Sequence, residues 1–203
     1  MDALPAAHGP RPRAARPGAS RRCPSGQRRA RRLVREGPGP PDVRPHLGGG
    51  ALLDLGVYPV SFASMVLGDP SNVHGTAQFG DTGVDGQTAV VLQYEQGRQA
   101  VIATSMEAWL PNQASISGTD ARIDVDFMWF TPKSFTLTER TGAVERYDFP
   151  VTGNGLRFQT EEVARCVREG LLESPVMPLD ESCQIMGTMD EVRAQIGLRY
   201  PGE

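Results

Sequence analysis

The sequence predicts an α+β fold: an open, mostly antiparallel sheet with helices on one face, preceded by a disordered Arg/Pro-rich tail. Three observations predict it. Seven strand-like runs follow one another from residue 72 with no helix between them, the order of an antiparallel sheet and not of a βαβ series. One apolar helical stretch precedes the strands and two amphipathic ones follow, so the helices remain to cover one face. Ahead of them, residues 1–47 hold nine of the 17 prolines and 11 of the 20 arginines, with no sustained period of 2 or 3.6.

That first segment cannot bury enough apolar area to offset the entropy of ordering it, so disorder is expected, apart from a possible short helix at 27–36. Clustered arginine suits phosphate, but no aromatic residue is interleaved and no binding motif occurs, so nucleic acid is not the expected partner. Ser20-Arg21-Arg22 lacks the apolar stretch that export needs. A partner-binding arm has no residue that argues for it. Arg, Pro, Ala and Gly without Lys is the composition of a GC-rich region read from a shifted frame, and a misread start is the favoured expectation for 1–47. The domain proper is expected at 48–203.

Within it, residues 50–67 read as a helix apolar nearly all round, hence buried, with Pro59 distorting it or sitting in its first turn. Strands are expected at 72–79, 88–94, 100–107, 114–117, 121–127, 134–138 and 145–149, with Val90, Leu92 and Tyr94 sharing one face. Glycine-bearing turns at 95–97 and 140–142 join hairpins. Leu156, Val163 and Val167 form the stripe of one closing helix, ending before Gly170. Ile185, Met189, Val192 and Ile196 form the stripe of the other, with Asp180 as N-cap. A sheet face left bare by the helices would be covered by a second copy, so a homo-oligomer through the sheet is expected.

Several chemistries are disfavoured. The apolar runs fall short of a membrane span, and Cys23, Cys166 and Cys183 are odd in number and unpaired in spacing. A reducing, cytoplasmic setting is expected. His8, His46 and His74 have no ligand spacing to a cysteine or to each other, so no metal is expected. Cys166, Cys183 and the Met186/Met189 pair read as helix packing. Trp109 and Trp129 lie near strand ends, where core or sheet-interface packing is favoured over lining a sugar site.

The stretch Gly48-Gly49-Gly50-Ala-Leu-Leu-Asp54-Leu-Gly-Val-Tyr58 carries the candidate chemistry. A spacing of four puts Asp54 and Tyr58 on one helix face, one turn apart. The glycines permit close approach of a backbone or a flat cofactor. A phenol beside a carboxylate can exchange a proton with a substrate hydroxyl, given a nearby cation to make it a base. The plainer reading is that Asp54 caps a loop and Tyr58 is a core residue.

Residues 48–58 resemble the start of the C-terminal domain in the glucose-fructose oxidoreductase/inositol dehydrogenase (Gfo/Idh/MocA) family. Tyr58, where many members have histidine, resembles the dihydrodiol dehydrogenase and NADP-dependent xylose dehydrogenase branch. The runs 172–182 and 189–193 resemble that branch too. The resemblance covers 48–203. It implies an α/β substrate domain that also makes oligomer contacts, working beside a Rossmann domain that binds NAD or NADP. It implies hydride transfer between a sugar or vicinal diol and the nicotinamide, Tyr58 as acid/base, and Asp54 orienting the substrate or Tyr58. The resemblance also implies a catalytic lysine in a Glu-Lys-Pro motif. No such motif and no Gly-x-Gly-x-x-Gly occur, and Lys133 stands in a different context.

The expected function is therefore the substrate domain of an NAD(P)-dependent oxidoreductase, with the cofactor not bound by this chain alone. The alternative is a non-catalytic binding or oligomerisation module.

Overall fold

The computed structural model describes residues 43–153 and 155–203. The expected disorder up to residue 42 and the possible helix at 27–36 lie outside the described residues. Helix α1 (Val57–Leu67) precedes seven strands, β1 (Asn72–Phe79), β2 (Asp85–Gln93), β3 (Gln99–Ser105), β4 (Ala114–Ser117), β5 (Ala121–Val125), β6 (Ser134–Glu139) and β7 (Val144–Asp148). Helices α2 (Arg157–Glu169) and α3 (Leu179–Ile196) close the chain. The α+β class and the antiparallel pairing are as expected. The strands divide into two sheets, β1-β2-β3 and β4-β5-β6-β7. The division falls at residues 106–113, where Pro111 has no amide to donate and Asn112 takes a φ of 54°.

The first sheet holds the core. In register, Val73 faces Leu92, and Leu92 faces Ala100; Gly75 faces Val90, and Val90 faces Ile102. Period-2 alternation sends all of these to one side, where Val73, Val90, Leu92 and Ile102 are buried. Val60 and Ala63 of α1, with Ile185, Met189 and Val192 of α3, seal that side. Gly75 is what lets α3 come so close: a Cβ there would stand 2.7 Å from Val192 Cγ1. Gln195 of α3 covers the free edge of β1, accepting from Gly75 N–H at 2.9 Å and donating to Val73 carbonyl at 2.7 Å.

Five expectations are corrected here. Asp180 does not cap α3. Pro178 occupies the cap, the Leu179 amide donates to Glu173 at 2.8 Å, and Asp180 sits in the first turn, where an acid still suits the helix dipole. Second, the stripe of α2 is exposed at Val163 and Val167, and Cys166 is the residue turned inward. A polar cluster sets that orientation: Glu162 accepts from Arg165 at 2.8 Å and from Ser174 Oγ at 2.6 Å, which ties α2 to the loop ahead of α3. Those donors hold the Glu162 carboxyl down to about 2. Third, Cys183 and Met186 are exposed, whereas Cys166 and Met189 are buried.

Fourth, the helix at 50–67 is buried on one face only. Ala51, Leu52, Val60 and Ala63 enter the core, while Leu55, Tyr58 and Met65 are exposed. Fifth, the helical stretch Pro45–Leu67 (23 residues, mean hydropathy 1.5) is long and apolar enough to cross a membrane, against the expectation from sequence. Its inner face is packed against the first sheet, which gives its apolar character a use inside this fold.

Candidate active site

The three glycines have three separate jobs. Gly48 adopts φ 68° and closes the short turn Pro45–Leu47. The Gly49 carbonyl accepts from Tyr200 Oη at 2.8 Å. Gly50 takes φ 129°, and a Cβ on it would meet Asp85 Oδ1 at 2.2 Å. The close approach that the glycines permit is thus made, at Gly50, by the Asp85 carboxylate.

Asp85 is fully buried at the start of β2. Its Oδ2 accepts from the Leu52 amide at 2.7 Å and from Thr88 Oγ1 at 2.5 Å. A carboxylate from a distant strand therefore caps the N-terminus of the helical run that bears Asp54 and Tyr58. Its Oδ1 has no hydrogen-bond partner among the described residues. Burial raises the carboxyl pKa against the lowering pull of the Thr88 and Leu52 donors. Burial, with Asp85 nearby, also pushes the Tyr200 phenol up to about 12.

Beyond the cap, Leu52–Gly56 forms a π-helical turn and the regular helix starts at Val57. Pro59 is the third residue of α1 and cannot donate to the carbonyl of Leu55. The wide turn just before it absorbs that missing rung. Asp54 lies in the π turn, and Tyr58 lies one turn on.

Tyr58 is 51% exposed. It stands on the wall of a cleft of about 980 Å³, between α1, the 126–133 loop and the start of α3. Its ring packs at 5.4 Å, tilted 35°, on Phe130. Trp129 meets Phe62 at 5.3 Å and Phe130 edge-on at 6.0 Å. Met128 takes a left-handed φ of 62°, and Thr131 N–H closes the turn on its carbonyl at 2.8 Å. That turn delivers Trp129 and Phe130 to the cleft. Opposite, Ser64 Oγ donates to Glu181 Oε1 at 3.0 Å. Among the described residues no Arg, Lys or His lines the cleft.

Asp54 is exposed and is not on the cleft wall, so the structure does not bring the two candidate residues together around one cavity. Trp129, assigned to packing, does both: it packs on Phe62 and lines the cleft. Trp109 is 96% exposed and belongs to no core. Phe62, Phe130, Glu181 and the capping Asp85 escaped the sequence reading. The aromatic run 127–130 inside a turn was the one available signal for the cleft. Among the described residues no group of three or more His, Cys, Asp or Glu side chains could hold a metal.

A dinucleotide needs a parallel βαβ unit with a glycine-rich turn at a helix N-terminus. Among the described residues every strand pairing is antiparallel. The helix N-terminus behind Gly50 already holds the Asp85 carboxylate. The described residues do not by themselves fit a nicotinamide dinucleotide.

Comparison with known proteins agrees with this architecture. The trans-1,2-dihydrobenzene-1,2-diol dehydrogenase of Xenopus tropicalis is 38% identical over 172 residues, covering 80% of this chain and 51% of the relative. The human protein of that name is 34% identical over 165 residues, covering 75% and 48%. Among solved structures, the 3-ketoreductase KijD10 from Actinomadura kijaniata with NADP and TDP-benzene superposes with a TM-score of 0.66 at 24% identity, over 78% of this chain and 50% of that one. An aldose-aldose oxidoreductase from Caulobacter crescentus gives 0.65 at 19% identity, over 77% and 49%. The chain spans about half the length of the curated relatives it matches. A family model described as the GFO/IDH/MocA C-terminal domain matches residues 22–124, and the chain belongs to that family.

Proposed function

We propose that this chain supplies the substrate side of a nicotinamide-dependent oxidoreductase acting on a vicinal diol or a sugar. One observation carries the reading: the Tyr58 phenol, in the segment that resembles the family's catalytic motif, stands open on the wall of an aromatic cleft instead of being sealed in the core. The diol in the name of the relatives at 34–38% identity supports the substrate class.

Tyr58 exchanges the proton of a substrate hydroxyl in the cleft. Asp54, one turn back and solvent-facing, orients the substrate or Tyr58 from outside the cleft wall. The cation that would make the phenol a base comes from outside the described residues, since none of those that line the cleft is basic. NAD or NADP is likewise held elsewhere, and titration of NADPH with this chain alone should leave its fluorescence unchanged.

The test is complementation. The full chain, co-expressed with the half of the Xenopus tropicalis relative that it does not cover, should oxidise trans-1,2-dihydrobenzene-1,2-diol with NADP. Tyr58→Phe should lower kcat by about 100-fold or more. An active complex in which Tyr58→Phe keeps full kcat overturns the assignment.

A second reading, an oligomerisation module, is favoured by the second sheet. Ile116, Ile123, Val125, Phe135 and Leu137 share one half-exposed face, extended by Tyr147 and Phe149. A homodimer through that face is compatible with either function.

A further inference from the structure

We propose that Glu181 determines specificity in this cleft, admitting uncharged or cationic polyols and rejecting anionic ones. The proposal rests on the reading of the cleft as the substrate site. Glu181 stands in the first turn of α3, on the cleft wall. One of its oxygens accepts from Ser64 Oγ at 3.0 Å, which fixes the side chain between α1 and α3. The other has no protein donor among the described residues and is free to accept a ligand hydroxyl.

The second acid of the lining is Asp69, and among the described residues no basic side chain accompanies the two. The remaining walls are largely aromatic and thioether: Tyr58, Phe62, Met65, Trp129, Phe130 and Met177. Such walls suit the C–H face of a hydroxylated ring. A ligand carboxylate or phosphate entering here would lose water and, among the described residues, gain no cation to pair with, beside an acid pinned in place. A ligand hydroxyl donates to Glu181 and avoids that cost. A ligand ammonium gains the acid and the ring faces together. Specificity of this kind is set by what is repelled as much as by what is held.

The experiment is a binding titration of the full chain carrying Trp109→Phe, followed by NMR. Of the two tryptophans, Trp129 alone then gives an indole N–H signal, and it reports from the cleft wall. The probes are D-glucose, D-glucosamine and D-glucuronate. Glucosamine should bind at least as tightly as glucose, and glucuronate about tenfold more weakly or worse. Glu181→Gln keeps an acceptor for Ser64 and should shrink the glucose/glucuronate gap to about threefold. Asp69→Asn, at an exposed position, should shrink it less and serves as a second probe if the Gln variant misfolds. Equal binding of glucose and glucuronate, or a gap that neither variant narrows, overturns the role of Glu181 and leaves the cleft as a substrate site. Failure of all three sugars to move the Trp129 signal overturns the cleft reading and this proposal with it.

Discussion

The two sheets are both antiparallel meanders, and they end in opposite situations. In the first, the alternate residues Val73, Val90, Leu92 and Ile102 are closed off by α1 and α3. In the second, Ser134 is the only buried strand residue. One face of the second sheet is apolar, with Phe135 stacked on Tyr147 at 4.8 Å and near Phe149 at 5.6 Å. Its other face carries Asp124, Arg122, Arg146 and Asp148 in ion pairs. Alternation decides which residues share a face. Whether that face is covered depends on where the helices go, and here they go to the first sheet. The first sheet is held by burial and the second by cross-strand pairs.

The largest effect should separate the sheets outright. Leu92→Ala removes a fully buried side chain and should cost about 3 kcal/mol, read from urea unfolding. Leu137→Ala, on the half-exposed face of the second sheet, should cost about 1 kcal/mol. Equal costs would mean that the second face is covered in solution. Sedimentation of a Phe135→Asp variant would then show whether a second copy covers it, by loss of the dimer.

A glycine pair gives the next contrast. Gly50→Ala faces both a left-handed φ of 129° and a clash with Asp85 Oδ1, and should cost about 3 kcal/mol. Gly142→Ala, in the β6–β7 hairpin of the second sheet, has φ 93° and open space around the new methyl. It should cost about 1 kcal/mol from backbone strain alone. If the two match in thermal unfolding, the Asp85 contact contributes nothing.

These contrasts also mark what the sequence could and could not disclose. The strand series, the α3 stripe and the partners Val90, Leu92 and Tyr94 were legible because period-2 and period-3.6 patterns encode faces directly. The division into two sheets was not, because a missing pairing leaves no periodic trace. Tyr58 was found through its motif, and its openness to a cleft was not. That cleft is built by Trp129 and Phe130, some 70 residues away on a turn opened by left-handed Met128. Asp85 was missed for the same reason. An acid at the head of a strand gives no sign that it caps a helix 33 positions earlier.

Asp85 supplies a pH test within the first sheet. Its folded pKa is raised, so proton binding favours the folded state at low pH. That contribution is lost as pH rises from about 4 through the folded pKa. Asn at 85 keeps an acceptor for the Leu52 amide and Thr88. The stability of Asp85→Asn relative to wild type should therefore climb with pH across that window and level off above it. A difference that is flat with pH would mean that Asp85 ionises in the fold as freely as in the unfolded chain.

The smallest effect belongs to the charged face of the second sheet, and its sign runs the other way. Arg146 donates to Asp126 at 2.7 Å, to Ser134 Oγ at 2.9 Å and to Asp148 at 3.1 Å, with Asp126 half-buried and Asp148 exposed. Ser134 first, then Arg146, holds the Asp126 carboxyl below its ordinary range. A depressed carboxyl contributes stability above the unfolded pKa and loses it as pH falls through the folded one. Arg146→Gln should thus lower the melting temperature slightly at pH 7. Its gap from wild type should close below about pH 4, the side on which Asp85 favours the fold. Salt of about 1 M should close it as well, since exposed pairs are screened over a few ångströms. A gap that persists in high salt at pH 7 would mean that the Ser134 hydrogen bond, and not charge, is what Arg146 contributes to this face.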